Sequence, residues 1–448
     1  MLYQAIPFAV IFILLILNIV RKRTWMCLSS FVYLYLTFCF GGAIFVHLSP
    51  RTGVPFCSPD AMCYLALTYG LLSLPLLFMN EHRKENGEVI RQEFNNIVLH
   101  APFLKLLGIL LLCSVLCFLP NIWRFINFLV LGVSRDEFRG MIDRSIRGNP
   151  VLMFASLMML FAKLSMFLAI LFYLFDKEKK YKKIMVLFFI GSCSLSLWAM
   201  QQIDRREVGK FLILIALLFV SFYRFASTGS FLKTYKKPIL FSLLLVIPFT
   251  IISVIRYDDW FYQIVQYFSI GPYFFNADYV AVTEFDFPHF YGDYCFTLLA
   301  PAYQTITDSH VVFPLEQIWG PGGSWFFHVY HLISNCHPFE FKTTIGCFLW
   351  DFPRPVVTGI ITFISLFFCL YFKLNKYSLR YHYAGFIYGY FLIFGTMMYP
   401  FSYFIFNLEL VMIIVSWFVL KNITQQRNSG IIAAPVCHED KLELKESE

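Results

Sequence analysis

Arginine and lysine are sorted along this chain, and that sorting is its strongest chemical signal. Eleven apolar runs divide the 448 residues, and ten of the 17 arginines fall in alternate, outward-facing connections, whereas only two of the 19 lysines do. Lysine gathered on the opposite side is the ordinary positive-inside signal of a membrane protein; arginine gathered outside runs against it. A guanidinium is planar, permanently charged and able to grip phosphate or carboxylate with two N–H bonds. The implied chemistry is recognition of an anion at the outer face.

Four positions concentrate that signal. Arg205 and Arg206 stand in QQIDRREVGK, where one apolar run ends and the next begins. Arg256 follows another run and precedes Tyr257, Asp258 and Asp259, and Arg354 closes a long polar segment in LWDFPRP. The alternative for each is snorkelling, or pairing with Asp204, Glu207, Asp258 or Asp351. Arg139, Asp143 and Arg147 are spaced i, i+4, i+8, so one helical face could satisfy its own charges. An acceptor-binding role for Arg139 and Arg147 stays open beside that reading.

Histidine supplies the other reactive chemistry. Five of the ten histidines, His289, His310, His328, His331 and His337, lie in the same long segment. Imidazole is the readiest general base near neutral pH. His328 and His331 share a helical face in WFFHVYHL, but no clear third ligand accompanies them, and no CxxC or Cys/His spacing occurs, so no metal is expected. Glu284, Asp286 and Asp293 are acidic candidates whose plainer reading is solvated surface. The glycines of IWGPGGSW form a turn rather than a phosphate loop, lacking the strand context and the lysine. Within the apolar runs, Lys163 and Glu409 are the ionisable residues furthest from the ends. Such residues face a bundle interior and pair, which makes Lys163–Glu409 a candidate contact, either structural or proton-relaying.

These residues need an all-α membrane scaffold to position them. Hydrophobic residues make up 58% of the chain and charged residues 14%, with mean hydropathy +0.65, the composition of a polytopic membrane protein. Spans of about 20 apolar residues are expected at 3–20, 26–48, 61–79, 103–119, 151–175, 184–201, 211–226, 238–255, 355–372, 384–399 and 403–420. A range of ten to thirteen is allowed, because 262–275 and 291–303 are apolar enough to dip into the membrane. Basic clusters at 21–23, 83–91, 177–183, 233–237 and 373–380 fall in every second connection. They place the N-terminus outside and the C-terminus inside. Residues 1–420 form one membrane domain, with an outer amphipathic segment at 120–150 and a large outer loop at 256–353. A polar tail at 421–448 is expected to be disordered. Of the cysteines, Cys57, Cys295 and Cys336 are external and could pair. The net charge of +8 follows from topology and calls for no nucleic acid.

The order of DRREVGKFLIL (204–214), ISVIRY (252–257), YFSIGP (267–272), FPHFYGD (287–293) and SNCHPFEFKTTIGCFLWDFPRPVVTG (334–359) resembles the Wzy-type oligosaccharide repeat-unit polymerases of bacterial inner membranes. The likeness covers roughly 200–360 and the span pattern. It departs at Pro353-Arg354, where a glycine is expected, and at Ile203-Asp204, where a small residue is more usual. It implies a glycosyltransferase acting at the periplasmic face on undecaprenyl-pyrophosphate-linked oligosaccharide, without any cofactor. The growing glycan passes to a hydroxyl of the incoming unit, and lipid pyrophosphate leaves. Arg205, Arg206 and Arg256 would neutralise the leaving group, and His289, Asp293 or His331 would serve as base. Arg139, Arg147, Tyr267, Tyr291, Lys342, Asp351 and Arg354 would contact substrate. Membrane lipids and a chain-length regulator are the further partners implied. An O-antigen ligase uses the same donor and is the near alternative; a flippase or exporter of lipid-linked sugars is the distant one.

Overall fold

The computed structural model describes residues 2–48, 58–81, 85–131, 149–194, 197, 205–226, 260–283, 289, 295, 343–396 and 404–425. Among these residues the chain is helical throughout, with no strand. The helices are α1 (Ala5–Lys22), α2 (Leu28–Leu48), α3 (Pro59–Ser73), α4 (Pro75–Phe78), α5 (Glu85–Leu99), α6 (Ala101–Leu131), α7 (Pro150–Met159) and α8 (Ala162–Phe175). They continue with α9 (Lys182–Ser192), α10 (Arg205–Ala226), α11 (Trp260–Thr283), α12 (Thr344–Asp351), α13 (Arg354–Leu374), α14 (Leu379–Phe394) and α15 (Phe404–Thr424).

Five described segments are long and apolar enough to cross a membrane: α1, α2, α3 with α4, the Ala101–Pro120 part of α6, and α13. The bent pair α7–α8 makes a sixth if counted as one span. Their outward faces are apolar. On α13, Phe363, Leu366, Phe367 and Leu370 are all more than half exposed, a surface suited to lipid rather than water. By contrast α14 buries Leu379, Tyr381, His382, Tyr383, Phe386, Tyr388 and Tyr390 and is walled in by its neighbours. A helix apolar all round belongs in a core. It has the 16 residues of the expected span 384–399 but starts and ends five residues earlier.

Several boundaries differ from expectation for visible reasons. The expected span 151–175 is broken at Leu160–Phe161, with a bend of 52°. No glycine or proline marks the break; it is closed by 3-10-type bonds from Leu160 N–H to Leu157 O and from Phe161 N–H to Met158 O. Helix α6 runs on through Pro120 to Leu131, so the start of the outer segment 120–150 continues a helix instead of beginning a new one. Helix α15 continues to Thr424, taking in the first residues assigned to the tail. Helix α9 has 11 residues where a span 184–201 is expected. It packs closely on α6 because Gly108 and Gly191 let backbones approach: a Cβ on either would sit 2.9 or 2.8 Å from the Cβ of Leu187 or Leu111.

The bundle has two chemically distinct ends. At one, Lys22 is buried and donates to Ser29 Oγ (2.6 Å), Leu76 O (2.9 Å) and Glu81 Oε2 (3.2 Å), tying α1, α2 and the end of α4. Helix α5 lies across the same end: Leu379 N–H donates to Glu93 Oε2 (2.5 Å), and Asn96 donates to Thr424 O (2.9 Å). Among the described residues this end carries Lys177, Lys179, Lys180, Lys182 and Lys183 between the end of α8 and the start of α9, and Lys373 and Lys376 around the end of α13. At the opposite end, α11 meets both α2 and α3. Phe261 contacts Phe45, Phe268 reaches Tyr35, and Asn276 Oδ1 accepts from Ser58 N–H (2.7 Å). Phe45 and Ser58 belong to the two helix ends joined by 48–58. Helix α11 therefore begins against the last turn of α2 and reaches the start of α3.

Candidate functional site

At that second end the short helix α12 is the organising element. Thr343 caps it, accepting from Gly346 N–H at 2.9 Å, and every residue from Thr344 to Asp351 is buried. Its N-terminus is anchored by Thr344 N–H donating to Gly395 O (2.7 Å), an oxygen that also accepts from Tyr69 OH (2.5 Å). One side presses on α11. Trp350 Nε1–H donates to Asp278 Oδ1 (3.0 Å), and a Cβ on Gly346 would lie 2.7 Å from Asp278 Oδ2. Glycine is required there so that the carboxylate can reach the indole.

Two pieces of the long loop fold onto this helix. Asp351 Oδ2 accepts from Cys295 N–H at 2.8 Å, and both residues are fully buried. Burial, and then the Asp351 carboxylate, push the Cys295 thiol well above its ordinary range. The thiol is held protonated, and Cys57 and Cys336, its expected external partners, lie outside the described residues. His289 Nδ1 lies 3.1 Å from Leu349 O. A carbonyl only accepts, so Nδ1 is the donor in this contact.

Arg354 opens α13 immediately beyond. Its backbone is fixed by Tyr64 OH and Thr358 Oγ1, which donate to Arg354 O at 3.3 and 2.9 Å. Its guanidinium lies against two neighbouring tyrosines, with Cζ 5.2 Å from the Tyr64 ring and 5.1 Å from the Tyr279 ring. Those rings are 5.8 Å apart and inclined by 47°. The side chain remains exposed. Among the described residues it makes no ion pair, and the carboxylate expected to neutralise it, Asp351, is committed to a backbone amide. The result is an oriented, unneutralised guanidinium at a helix N-terminus, where the backbone dipole also favours negative charge. It can receive an anionic oxygen pair.

The structure thus gathers His289, Asp351 and Arg354 around α12. Asp351 acts there as a loop anchor and not as an open contact for substrate. Arg205 and Arg206 lie in the first turn of α10 and Tyr267 lies in α11, but their side chains are outside the described residues. So are Arg139, Arg147, Arg256, Tyr291, Asp293, His331 and Lys342. Among the described residues no three His, Cys, Asp or Glu side chains group as metal ligands. Sequence reasoning overlooked Asp278, although a lone acid in the apolar 24 residues of α11 carries the same signal as Lys163 and Glu409. Nothing in their spacing singles out Tyr64 and Tyr279.

The interior pair is present. Lys163 Nζ donates to Glu409 Oε1, both side chains are 2% exposed, and the ammonium sits 4.1 Å from the Tyr390 ring centroid. The break between α7 and α8 places Lys163 in the first turn of α8. A cation there opposes the helix dipole, which Glu409 offsets. No protein-family model matches this chain, and no curated protein and no solved structure matches it.

Proposed function

We propose that this chain is a Wzy-type polymerase of lipid-linked oligosaccharide repeat units. It works as an eleven-span protein of a bacterial inner membrane, with its N-terminus periplasmic and its C-terminus cytoplasmic. The observation that carries the reading is Arg354: exposed, seated on Tyr64 and Tyr279, unpaired among the described residues, and at the end opposite the lysine clusters. A lipid pyrophosphate presents its charge at that depth. In the reaction an acceptor hydroxyl oxygen attacks the anomeric carbon of the donor glycan, and the carbon–oxygen bond to pyrophosphate breaks. The hydroxyl proton passes to a base, for which His289 Nε2 is the described candidate. Arg354, with Arg205, Arg206 and Arg256, takes up the charge of the leaving group. Bidentate geometry explains why arginine rather than lysine fills these places.

The broken α7–α8 span supports a second reading, a flippase of the same lipid-linked units, since transporters build central sites on discontinuous helices. Lys163 and Glu409 neutralise each other at that break, which leaves less charge there for a substrate. Deletion of the gene separates the readings. A polymerase defect accumulates single lipid-linked units on the periplasmic face, whereas a flippase defect holds them on the cytoplasmic face. A ligase defect leaves finished polymer on its lipid carrier. Either of the last two outcomes rejects the polymerase.

A further inference from the structure

The lysine-rich end holds a second, separate set of unneutralised cations. Helix α5 buries Ile90, Phe94 and Ile97 against the bundle, while Glu88, Arg91, Gln92 and Asn95 on its other face are exposed. Phe94 seats it on the end of α8, 5.2 Å from Phe172 and 5.9 Å from Phe175. Between the two helices lies an open cavity of about 230 Å³, lined by Arg91, Phe94, Asn95, Leu174, Phe175 and Lys177. No carboxylate lines it, and neither Arg91 nor Lys177 makes an ion pair among the described residues.

The adjoining turn keeps it basic. Asp176 is occupied by the backbone, accepting from the N–H groups of Lys180 (3.1 Å) and Tyr181 (2.7 Å). Lys179 takes a left-handed conformation (φ 57°) to complete the turn. Lys177, Lys179, Lys180, Lys182 and Lys183 are exposed, with Glu178 the acid among them. Five lysines directly after a membrane-embedded helix attract anionic headgroups. The cavity adds what a diffuse patch lacks: a cation from α5, a second from the turn after α8, an amide, and an apolar floor of Phe94, Leu174 and Phe175.

We propose that this cavity binds the phosphate of an anionic phospholipid, with Arg91 and Lys177 on the phosphate oxygens and Asn95 on the glycerol or headgroup side. The apolar floor favours a lipid over free phosphate, because only a lipid has apolar surface to lay against Phe94, Leu174 and Phe175. The site is independent of Arg354 and of the polymerase reading.

The test uses the purified full chain in detergent, incubated with phosphatidylglycerol or phosphatidylcholine, with retained lipid counted by native mass spectrometry. Wild type should retain phosphatidylglycerol selectively. R91Q/K177Q should lose at least about fivefold of that retention, with its lipid-free melting temperature unchanged, since both positions are exposed. N95D, which adds a carboxylate without removing a cation, should lose retention too and guards against a folding defect in the double variant. Equal retention of the two lipids by wild type, or full retention by N95D, overturns the site. Displacement of the lipid by an equal concentration of inorganic phosphate overturns the assignment to lipid.

Discussion

The buried lysines and the exposed Arg354 solve opposite problems with the same unit of charge. Lys22 and Lys163 are each buried, each bonded to one glutamate, and each joins helices distant in sequence. Arg354 is exposed, lies on two aromatic faces and has no carboxylate partner among the described residues. A paired buried cation holds structure, and removing its partner strands it. A stacked exposed cation is oriented but still has hydrogen bonds to give. In these three residues, burial with a glutamate goes with fastening, and exposure on aromatic rings leaves a cation with donors to spare.

Breaking the interior pair should cost most. Glu409→Leu leaves Lys163 uncompensated, and a loss of roughly 3–5 kcal/mol is expected, read as a large fall in melting temperature in detergent. Lys163→Met/Glu409→Leu should recover most of it. A double variant as unstable as the single one would show that packing, not charge, sets the cost. Glu81→Gln should cost less, about 2 kcal/mol, because Lys22 keeps Ser29 and Leu76 O as acceptors; an unchanged melting temperature would remove Glu81 from the fastening set. Gly346→Ala forces α12 away from Asp278 and should cost about 1–3 kcal/mol by overpacking. It should also expose Trp350 to collisional quenching, and unaltered quenching would contradict the tight α11–α12 fit. Smallest in stability, and largest in selectivity, is Tyr279→Leu. Tyr279 is buried, so the change should lower the melting temperature slightly, by about 1 kcal/mol of stability, while shortening glycan chains by loosening Arg354; full-length chains would show that the ring contact is incidental.

Much of this was legible in the sequence, and unevenly so. The all-helical membrane scaffold follows from long apolar runs, and the Lys163–Glu409 contact follows from the cost of lone charges in such runs. Arg354 was legible as an arginine out of place. Its seat was not, because Tyr64 and Tyr279 lie 290 and 75 residues away and carry no periodic signal of their own. Asp351 was misread as an open or Arg-pairing carboxylate; proximity in sequence suggested Arg354, while the fold gave it Cys295 N–H. Lys22 was read as topology alone, because Glu81 becomes its partner only once α1 and α4 end side by side. The break before Lys163 left no mark, since no glycine or proline makes it.

The most direct measurement is the glycan length distribution of cells carrying Arg354→Lys, with protein level and melting temperature measured alongside. Lysine keeps the charge but loses the planar fork and the stack. An anion-gripping Arg354 predicts loss of long chains at normal protein level and stability. A normal ladder of chain lengths from a stable Arg354→Lys protein would contradict it.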